Sequence, residues 1–303
     1  MTRRRWTGCG TALVTPFAQD GSLDEPAIRR LARRQVDAGI HFLVPCGTTG
    51  ESPTLSEDER VRVVEIVVEE TAGRVPVLAG AGGYNTREVV HTARRMRHAG
   101  ASGLLSVTPY YNKPTPEGLV QHYTVIACEV GLPVVVYNVP GRTGCNLDTA
   151  TLLKLSAIPN IVGVKEASGN LAQMCEICRA LPPDFIVLSG DDALTLPLMA
   201  VGGHGVVSVV SNEAPATMVQ LVELAERNDF AAAREIHARL MPLMTANFVE
   251  SNPIPVKAAL AELGLIEEVY RLPMVAPRAE SRRRILEALA LARVSESTGA
   301  TAR

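Results

Sequence analysis

The amino-acid sequence predicts an α/β fold, a (β/α)8 TIM barrel followed by a small C-terminal appendage made only of helices. Short apolar runs rich in β-branched residues alternate with longer helical patterns, and this alternation occurs eight times along the chain. The apolar runs are nearly continuous, as expected for parallel strands that are covered on both faces. A doubly wound open sheet is the alternative architecture, but no G-x-G-x-x-G follows the first apolar run.

The predicted strands recur at a spacing that fits a barrel. Within residues 8–229 the repeating unit averages roughly 28 residues, close to the roughly 31 of a 250-residue barrel. The predicted strands are residues 10–17, 42–46, 75–80, 103–108, 133–137, 161–165, 185–189 and 205–210. The active site of such a barrel lies at the carboxyl ends of its strands, so the residues after each run are the candidates for function.

Capping residues mark the ends of the helices between these strands. Asp24 precedes the first helix, and Ser56 and Glu59 have the spacing of a capping box at the start of the second. Thr115, followed by a proline, begins the fourth helix, and Gly131 ends it. These signals place helices where the barrel pattern requires them.

The strand pattern stops at about Asn228, and only helical patterns follow. The predicted C-terminal helices are residues 231–250, 255–264 and 281–294. We therefore expect a catalytic barrel over residues 1–229, a helical domain over 230–294 and a disordered tail over 295–303.

The composition excludes several classes of protein. The formal net charge is −2, from 30 basic and 32 acidic residues, which argues against a nucleic-acid-binding protein. No apolar run reaches the roughly 18 residues that span a bilayer, and the start of the chain lacks an apolar signal core. We expect a cytoplasmic protein that binds neither nucleic acid nor membranes.

The six cysteines and six histidines predict no metal site. The cysteines are scattered through a long chain, so we expect them to be reduced. Cys175 and Cys178 form one C-x-x-C without a second pair, which favours two helix residues in the core over a zinc site. The histidines lack the spacing of metal ligands, and Asp191 and Asp192 offer too few convergent groups.

Lysine is rare in this chain, which has 26 arginines and four lysines. Lys113 lies in a loop, and Lys154 and Lys257 fall in helical patterns, where cations are ordinary. Lys165 instead ends a run of apolar residues that enters the barrel mouth. Desolvation there favours the neutral amine, which can form a Schiff base with a carbonyl substrate. An ion pair with Glu166 is the structural alternative.

Two hydroxyl groups follow the second strand, in Gly47-Thr48-Thr49-Gly50-Glu51. Thr48 and Thr49, with nearby backbone amides, can hold a small carboxylate without a cationic clamp. Loops rich in glycine and threonine are also common turns, so the segment alone does not decide between these two interpretations.

Three of the six tyrosines and one arginine lie at the ends of neighbouring predicted strands. Tyr110 and Tyr111 follow the fourth strand and Tyr137 ends the fifth, which suggests phenols used for proton transfer. Packing at the barrel rim is the alternative. Arg142 can bind a carboxylate with two hydrogen bonds, or be an ordinary solvated loop residue.

Taken together, these segments resemble the family of class I pyruvate-dependent aldolases and lyases, and within it the dihydrodipicolinate synthase subfamily. The likeness extends from residue 10 to residue 257. Its signatures are Gly47-Thr48-Thr49-Gly50-Glu51, Thr108-Pro109-Tyr110-Tyr111-Asn112, Val164-Lys165-Glu166 and Tyr137-Asn138-Val139-Pro140-Gly141-Arg142-Thr143-Gly144. Arg142 distinguishes the subfamily from sialic acid lyases, which lack an arginine at this place.

The resemblance implies a role for each candidate residue. Lys165 forms the Schiff base with pyruvate, and the proton relay consists of Tyr137, Thr48 and Tyr111. Thr49 binds the pyruvate carboxylate and Arg142 the carboxylate of the second substrate. The backbone around Val207 lines the pyruvate pocket, and Gly190 lies near the second substrate.

The implied reaction condenses pyruvate with L-aspartate 4-semialdehyde to 4-hydroxy-tetrahydrodipicolinate, the first committed step of diaminopimelate and lysine synthesis. It needs no cofactor beyond the Lys165 Schiff base and no metal. Tyr111 reaches into a neighbouring subunit in this family, which implies a homotetramer built as a dimer of dimers. The alternatives are another pyruvate-dependent aldolase, of the 4-hydroxy-2-oxoglutarate aldolase or hydratase-aldolase type, and a keto-acid-binding barrel without turnover.

One segment departs from lysine-sensitive members of the subfamily. At the positions of their lysine-binding residues this chain has Glu57, Arg60 and Tyr84, whereas Ser52, Glu88 and Tyr110 match. Pro53 also stands in the preceding turn. We expect weak or absent feedback inhibition by L-lysine, and half-inhibition of turnover by sub-millimolar lysine would contradict this expectation.

Overall fold

A computed structural model describes residues 6–294. Eight parallel strands pair in the order β2-β1-β8-β7-β6-β5-β4-β3, and a parallel bridge between Leu43 and Val77 closes the circle. The predicted TIM barrel is therefore confirmed. The strands are β1 Gly8–Ala12, β2 Phe42–Val44, β3 Leu78–Gly80, β4 Gly103–Val107, β5 Val134–Asn138, β6 Ile161–Glu166, β7 Ile186–Ser189 and β8 Gly205–Ser208.

Helices alternate with these strands, and three more follow the last barrel helix. They are α1 Glu25–Asp37, α2 Glu57–Thr71, α3 Thr86–His98, α4 Pro116–Val130, α5 Pro140–Thr143, α6 Thr149–Ser156, α7 Leu171–Ala180, α8 Thr195–Ala200, α9 Pro215–Glu226, α10 Phe230–Ala246, α11 Ile254–Glu262 and α12 Ala279–Leu291. The capping box of Ser56 and Glu59 is present at the start of α2. Short 3-10 helices cover Ser52–Thr54, Asp192–Leu194 and Val210–Asn212.

The first strand is shorter than the sequence pattern predicts. It ends at Ala12, because the Val14 amide donates to Asn212 Oδ1, 3.2 Å away, rather than to a neighbouring strand. Phe17 then pairs antiparallel with Leu23. Leu13, Val14 and Phe17 lie beyond the strand but are as buried as its residues, so hydrophobicity does not distinguish them from strand residues.

Side chains of successive strand residues alternate between the barrel lumen and the surrounding helices. Tyr137, Leu188 and Val207 belong to the buried apolar cluster inside the barrel, whereas Val136 and Val164 belong to the cluster under the helices. Apolar residues are therefore buried on both faces of the sheet, which explains why the strands read as unbroken apolar runs.

Trp6 fills the amino-terminal end of the lumen. It is 1% exposed and stacks edge-on against Phe42, with 5.9 Å between the ring centroids. A Cβ atom on Gly103 would lie 2.6 Å from Trp6 Cζ2, so the start of β4 accommodates the indole only because it is glycine. The barrel is thus closed at this end and open at the carboxyl end.

The C-terminal helices pack onto one side of the barrel. Helix α10 contacts α8, α9 and α12, and α11 contacts α12 and the 3-10 helix Val210–Asn212. The division into domains at residues 229 and 230 stays a prediction. The predicted tail, residues 295–303, lies outside the described residues.

Several features bear on the compositional expectations. No helix within residues 6–294 is long and apolar enough to cross a membrane. The six cysteines form no disulfide, and Cys175 and Cys178 are partly buried on α7, where Cys178 packs against the hydrophobic core. Over the same described residues, no group of three or more His, Cys, Asp or Glu side chains is placed to hold a metal ion.

Candidate active site

A cavity of about 290 Å³ opens at the carboxyl ends of the strands. Its walls come from the loops after β2, β3, β4 and β5 and from two C-terminal loops. Thr48, Tyr137 and Arg142 lie on these walls, together with Glu51 and Asn252. Side chains from sequence positions 48 to 252 therefore converge on one space, as expected at this end of a barrel.

Lys165 lies inside the barrel next to Tyr137. The two residues are register partners on β6 and β5, and Lys165 Nζ is 4.1 Å from the centroid of the Tyr137 ring. Lys165 is 5% exposed and is not on the cavity wall, whereas Tyr137 is. The phenol ring is therefore in contact with both the cavity and the amine.

The ion pair between Lys165 and Glu166, the structural alternative for this lysine, does not form. Glu166 is fully buried on the opposite face of β6, where its carboxylate accepts from Asn138 Nδ2 at 2.9 Å and from the Ser168 amide at 2.6 Å. Because adjacent strand residues face opposite sides of the sheet, Glu166 cannot reach Lys165 Nζ. Lys165 is left facing the lumen without a carboxylate partner among the described residues.

Gly190 follows β7 and leaves room for the Lys165 side chain. A Cβ atom here would lie 2.9 Å from Lys165 Cε and 2.6 Å from Ala167 Cβ. The Gly190 amide donates to the Glu166 carbonyl at 2.7 Å, which fixes this close approach. Val207, on β8, is 1% exposed in the lumen cluster and does not line the cavity.

The loop after β2 is a compact double turn. The Gly50 amide donates to the Gly47 carbonyl at 3.1 Å, and the Glu51 amide donates to the Thr48 carbonyl at 3.2 Å. Thr48 is partly exposed at the cavity, whereas Thr49 is 3% exposed and accepts a hydrogen bond from Asn252. The two predicted hydroxyls therefore have different surroundings: Thr48 is open to the cavity, and Thr49 is hydrogen-bonded to Asn252.

Tyr111 is not brought into the cavity of its own chain. Its side chain is 91% exposed and its backbone has a φ of 70°, whereas the neighbouring Tyr110 lines the cavity. Tyr110 stacks edge-on against Tyr84, which is 52% exposed. Within one chain, only Thr48 and Tyr137 of the predicted relay share the cavity.

Arg142 lies on the short helix α5, directly after β5. Its side chain is exposed at the cavity, and Nη2 donates to the Asn252 carbonyl at 3.2 Å. The guanidinium is therefore tethered at one nitrogen while its charge faces the open space. This arrangement suits the binding of a carboxylate.

Sequence reasoning misjudged Lys257, which it placed among ordinary helix cations. Lys257 is fully buried, with Nζ 2.6 Å from Glu51 Oε1 and 4.2 Å from the centroid of the Phe17 ring. Burial raises the pKa of Glu51 and lowers the pKa of Lys257, because desolvation opposes both charges, although their mutual attraction acts the other way. The rarity of lysine was a signal that could have found it.

Sequence reasoning also missed Asn252. It is 4% exposed, lies on the cavity wall and bonds to two predicted site residues. No motif marks it, because its partner Thr49 lies 203 positions away.

A second groove of about 600 Å³ adjoins the first. Residues named for lysine feedback line it: Ser52, Pro53, Glu57, Arg60, Tyr84, Glu88 and Tyr110. Glu57 is already paired there with Arg95 and His91, each at 3.2 Å. Weak or absent feedback by L-lysine stays a prediction.

Comparison with known proteins identifies the relatives of this chain. Residues 5–292 match the model of the Dihydrodipicolinate synthetase family. The 4-hydroxy-tetrahydrodipicolinate synthase of Koribacter versatilis (strain Ellin345) is 56% identical over 279 residues, covering 92% of this chain and 93% of that protein. Dihydrodipicolinate synthase from Aquifex aeolicus superimposes with a TM-score of 0.93 at 43% identity, covering 95% of this chain and 99% of that one. A monomeric dihydrodipicolinate synthase variant gives a TM-score of 0.94 at 44% identity, with 96% and 98% covered.

Proposed function

The chain belongs to the dihydrodipicolinate synthetase family, and we propose that it condenses pyruvate with L-aspartate 4-semialdehyde to form 4-hydroxy-tetrahydrodipicolinate. This reaction is the first committed step of diaminopimelate and lysine synthesis. The observation that supports the proposal most strongly is the placement of Lys165. Its amine lies in the lumen of the barrel, where Lys165 is 5% exposed, 4.1 Å from the centroid of a phenol ring that also lines the cavity.

The chemistry begins at the Lys165 amine. In its neutral form it attacks C2 of pyruvate, and water is expelled to leave a protonated imine. The imine nitrogen withdraws electrons, so the pyruvate methyl group loses a proton and the adduct becomes an enamine. The enamine carbon attacks the aldehyde carbon of the second substrate, and the new alkoxide takes up a proton. The amine of that substrate then attacks the imine carbon and displaces Lys165 as the ring closes.

Tyr137 and Thr48 transfer the protons of these steps. The Tyr137 ring lies against Lys165 Nζ, and Thr48 shares the cavity wall with Tyr137. We propose that Tyr111 of a second copy completes the relay, because Tyr111 is 91% exposed and lies outside the cavity of its own chain. The working assembly is accordingly at least a dimer, and we propose a homotetramer formed from two dimers.

Two different groups bind the two substrate carboxylates. Thr49 and the adjoining backbone amides hold the carboxylate of pyruvate, with the backbone near Val207 at the inner end of the pocket. Arg142 holds the carboxylate of the second substrate, near Gly190. A neutral hydroxyl pocket for one carboxylate and a guanidinium for the other let the two substrates be distinguished.

The proposal requires no dissociable cofactor and no metal, because the imine nitrogen of Lys165 is itself the electron sink. We place the reaction in the cytoplasm, a reducing compartment that suits six cysteines without a disulfide.

The direct test is consumption of pyruvate with L-aspartate 4-semialdehyde, coupled to a dihydrodipicolinate reductase and followed by loss of NADPH absorbance. We expect turnover in the wild type and none above background in Lys165→Arg, which keeps a cation but cannot form the imine. Borohydride with pyruvate should trap one covalent adduct on Lys165, located by mass spectrometry.

Lys154→Arg is the matched control, since Lys154 is 59% exposed on α6. It should retain wild-type turnover. Turnover that survives in Lys165→Arg would show the covalent mechanism to be wrong. If the wild type traps pyruvate on Lys165 but does not turn over, the aldolase chemistry holds and the second substrate is a different aldehyde.

A further inference from the structure

Asn252 touches two residues to which we assign different substrates. It lies between α10 and α11 and is 4% exposed at the cavity wall. Its side-chain amide nitrogen donates to Thr49 Oγ1 at 2.9 Å, and its main-chain carbonyl accepts from Arg142 Nη2 at 3.2 Å. The first contact needs the asparagine side chain, and the second does not.

We infer that Asn252 is a positioning residue that orients the Thr49 hydroxyl toward pyruvate and holds it at a fixed distance from Arg142, so that the C-terminal segment forms part of the substrate site. This inference rests on the proposed function, because it assigns the two contacts to the two substrates.

The direction of the hydrogen bond explains why an asparagine suits this place. A hydroxyl has one proton to donate, and a carboxylate can only accept. Because the Asn252 amide donates to Thr49 Oγ1, the Thr49 proton is not used toward Asn252 and is available for an anion. An aspartate at position 252 would accept from Thr49 instead, and the hydroxyl would then point its proton away from the substrate.

The contact with Arg142 is complementary. The bond to the Asn252 carbonyl occupies Nη2 and restrains the guanidinium, while Nη1 and Nε of the same group are not used in this bond. Two nitrogens therefore remain to face a carboxylate. Asn252 thereby links the two anion-binding groups through its side chain on one side and its main chain on the other.

A second tie holds the same segment in place. Lys257, five positions further along the chain, contacts Glu51 at 2.6 Å, and both side chains are buried. Glu51 ends the loop that carries Thr49. The segment is therefore attached to the loop at two points, so loss of the Asn252 side chain should leave the backbone near its native position.

The test measures the pyruvate concentration that half-saturates borohydride trapping at Lys165, together with the KM values for both substrates. For Asn252→Ala we expect the half-saturating pyruvate concentration to rise about three- to tenfold, because one hydrogen bond is lost. The KM of the second substrate should stay within about twofold of the wild-type value. Asn252→Asp should raise the pyruvate value further than Asn252→Ala. The half-saturating pyruvate concentration of the double variant Thr49→Val with Asn252→Ala should be no higher than that of Thr49→Val alone.

Asn160→Ala is the matched control, because the Asn160 side chain donates two hydrogen bonds, to Ala127 and Leu132, at the amino-terminal end of β6. It should leave both substrates unaffected. Any of three results would overturn the inference. The half-saturating pyruvate concentration could be unchanged in Asn252→Ala, or the values for both substrates could rise equally. The half-saturating pyruvate concentration of Asn252→Asp could also be no higher than that of Asn252→Ala.

The outcome can be separated from a failure of the proposed function. If the wild type traps pyruvate but lacks turnover, the half-saturating pyruvate concentrations from trapping are sufficient to test the role of Asn252. If it traps no pyruvate, the proposed function fails, and with it the assignment of Thr49 to pyruvate. Thermal unfolding of Thr49→Val, Asn252→Ala and the double variant then tests whether the two side chains interact. If the losses of stability in the two single variants add up in the double variant, the positioning role is overturned as well.

Discussion

Lys165 faces the barrel lumen because of strand alternation, and its freedom to move there depends on a neighbouring glycine. Val164 and Glu166 point toward the helices, so the residue between them must point inward. Gly190 then leaves space beside the lysine stem, where a Cβ atom would lie 2.9 Å from Cε. The position of the reactive amine therefore depends on strand alternation and on the absence of a side chain at Gly190.

Gly190→Ala should slow imine formation with pyruvate by about ten- to a hundredfold, because the added methyl group displaces the lysine stem and misaligns the amine. The rate of borohydride-trapped adduct formation measures this effect. Gly118→Ala, where the new Cβ would have an ordinary 3.4 Å contact on α4, is the control and should react at the wild-type rate. A wild-type rate in Gly190→Ala would mean that the space beside Cε is not needed.

The sequence predicted the barrel and the inward lysine, because both follow from local periodicity. Eight apolar runs predicted eight strands, and a lysine at the end of one run was a candidate for a site near the barrel mouth. Asn252 and the pairing of Lys257 with Glu51 could not be predicted in this way. Their partners lie 203 and 206 positions away, so no local pattern records the contact. The extent of β1 was also misjudged, because the pattern does not separate strand residues from buried loop residues.

At the scale of elements, Arg271 joins three separate segments near the cavity. Its guanidinium donates to the Gly21 carbonyl at 2.7 Å, to the Thr54 carbonyl at 2.9 Å and to Glu59 Oε2 at 2.8 Å. The loop after β1, the 3-10 turn and the first turn of α2 are thereby held together. The guanidinium also lowers the pKa of Glu59 to about 2.

This pairing predicts a pH dependence of stability. The pKa of Glu59 falls from its ordinary 4.5 to about 2 on folding, so its contribution is fully present above about pH 4.5 and is lost as the pH falls toward 2. The difference in unfolding free energy between the wild type and Glu59→Gln should therefore shrink as the pH is lowered. Urea unfolding from about pH 6 to about pH 3.5 measures it.

Glu287→Gln is the control for this measurement, since Glu287 is 64% exposed and 3.8 Å from Arg283. Removing an exposed charge of this kind should change stability little at any pH. A wild-type advantage over Glu59→Gln that stays constant across the window would contradict the role given to Arg271.

At the scale of the whole molecule, the carboxyl end of the barrel leaves aromatic side chains unburied. Tyr84 is 52% exposed and Tyr111 is 91% exposed, the latter with a left-handed backbone that is uncommon for a bulky residue. Exposed aromatic rings grouped on one face are typical of interaction surfaces. They fit a contact between two copies, with each Tyr111 serving the cavity of the other.

Mixing two inactive variants tests this exchange. Lys165→Arg lacks the nucleophile, and Tyr111→Phe lacks the phenol that, in our proposal, completes the site of the partner. After reversible dissociation and random reassembly, about half of the dimers are mixed and each has one complete site, so activity should recover to about a quarter of the wild-type value. The coupled assay measures this activity. If the mixture is no more active than the sum of the two variants measured separately, Tyr111 acts within its own chain.

The closed end of the barrel gives the protein a built-in optical reporter. The chain has a single tryptophan, Trp6, and it is sealed in the lumen beneath Gly103. Its fluorescence therefore originates from one apolar environment, at the opposite end of the barrel from the substrate cavity. A red shift in emission marks the opening of the barrel itself, whereas ligands that enter at the other end leave the signal unchanged. Trp6 emission can thus follow unfolding in the presence of substrate without a contribution from binding.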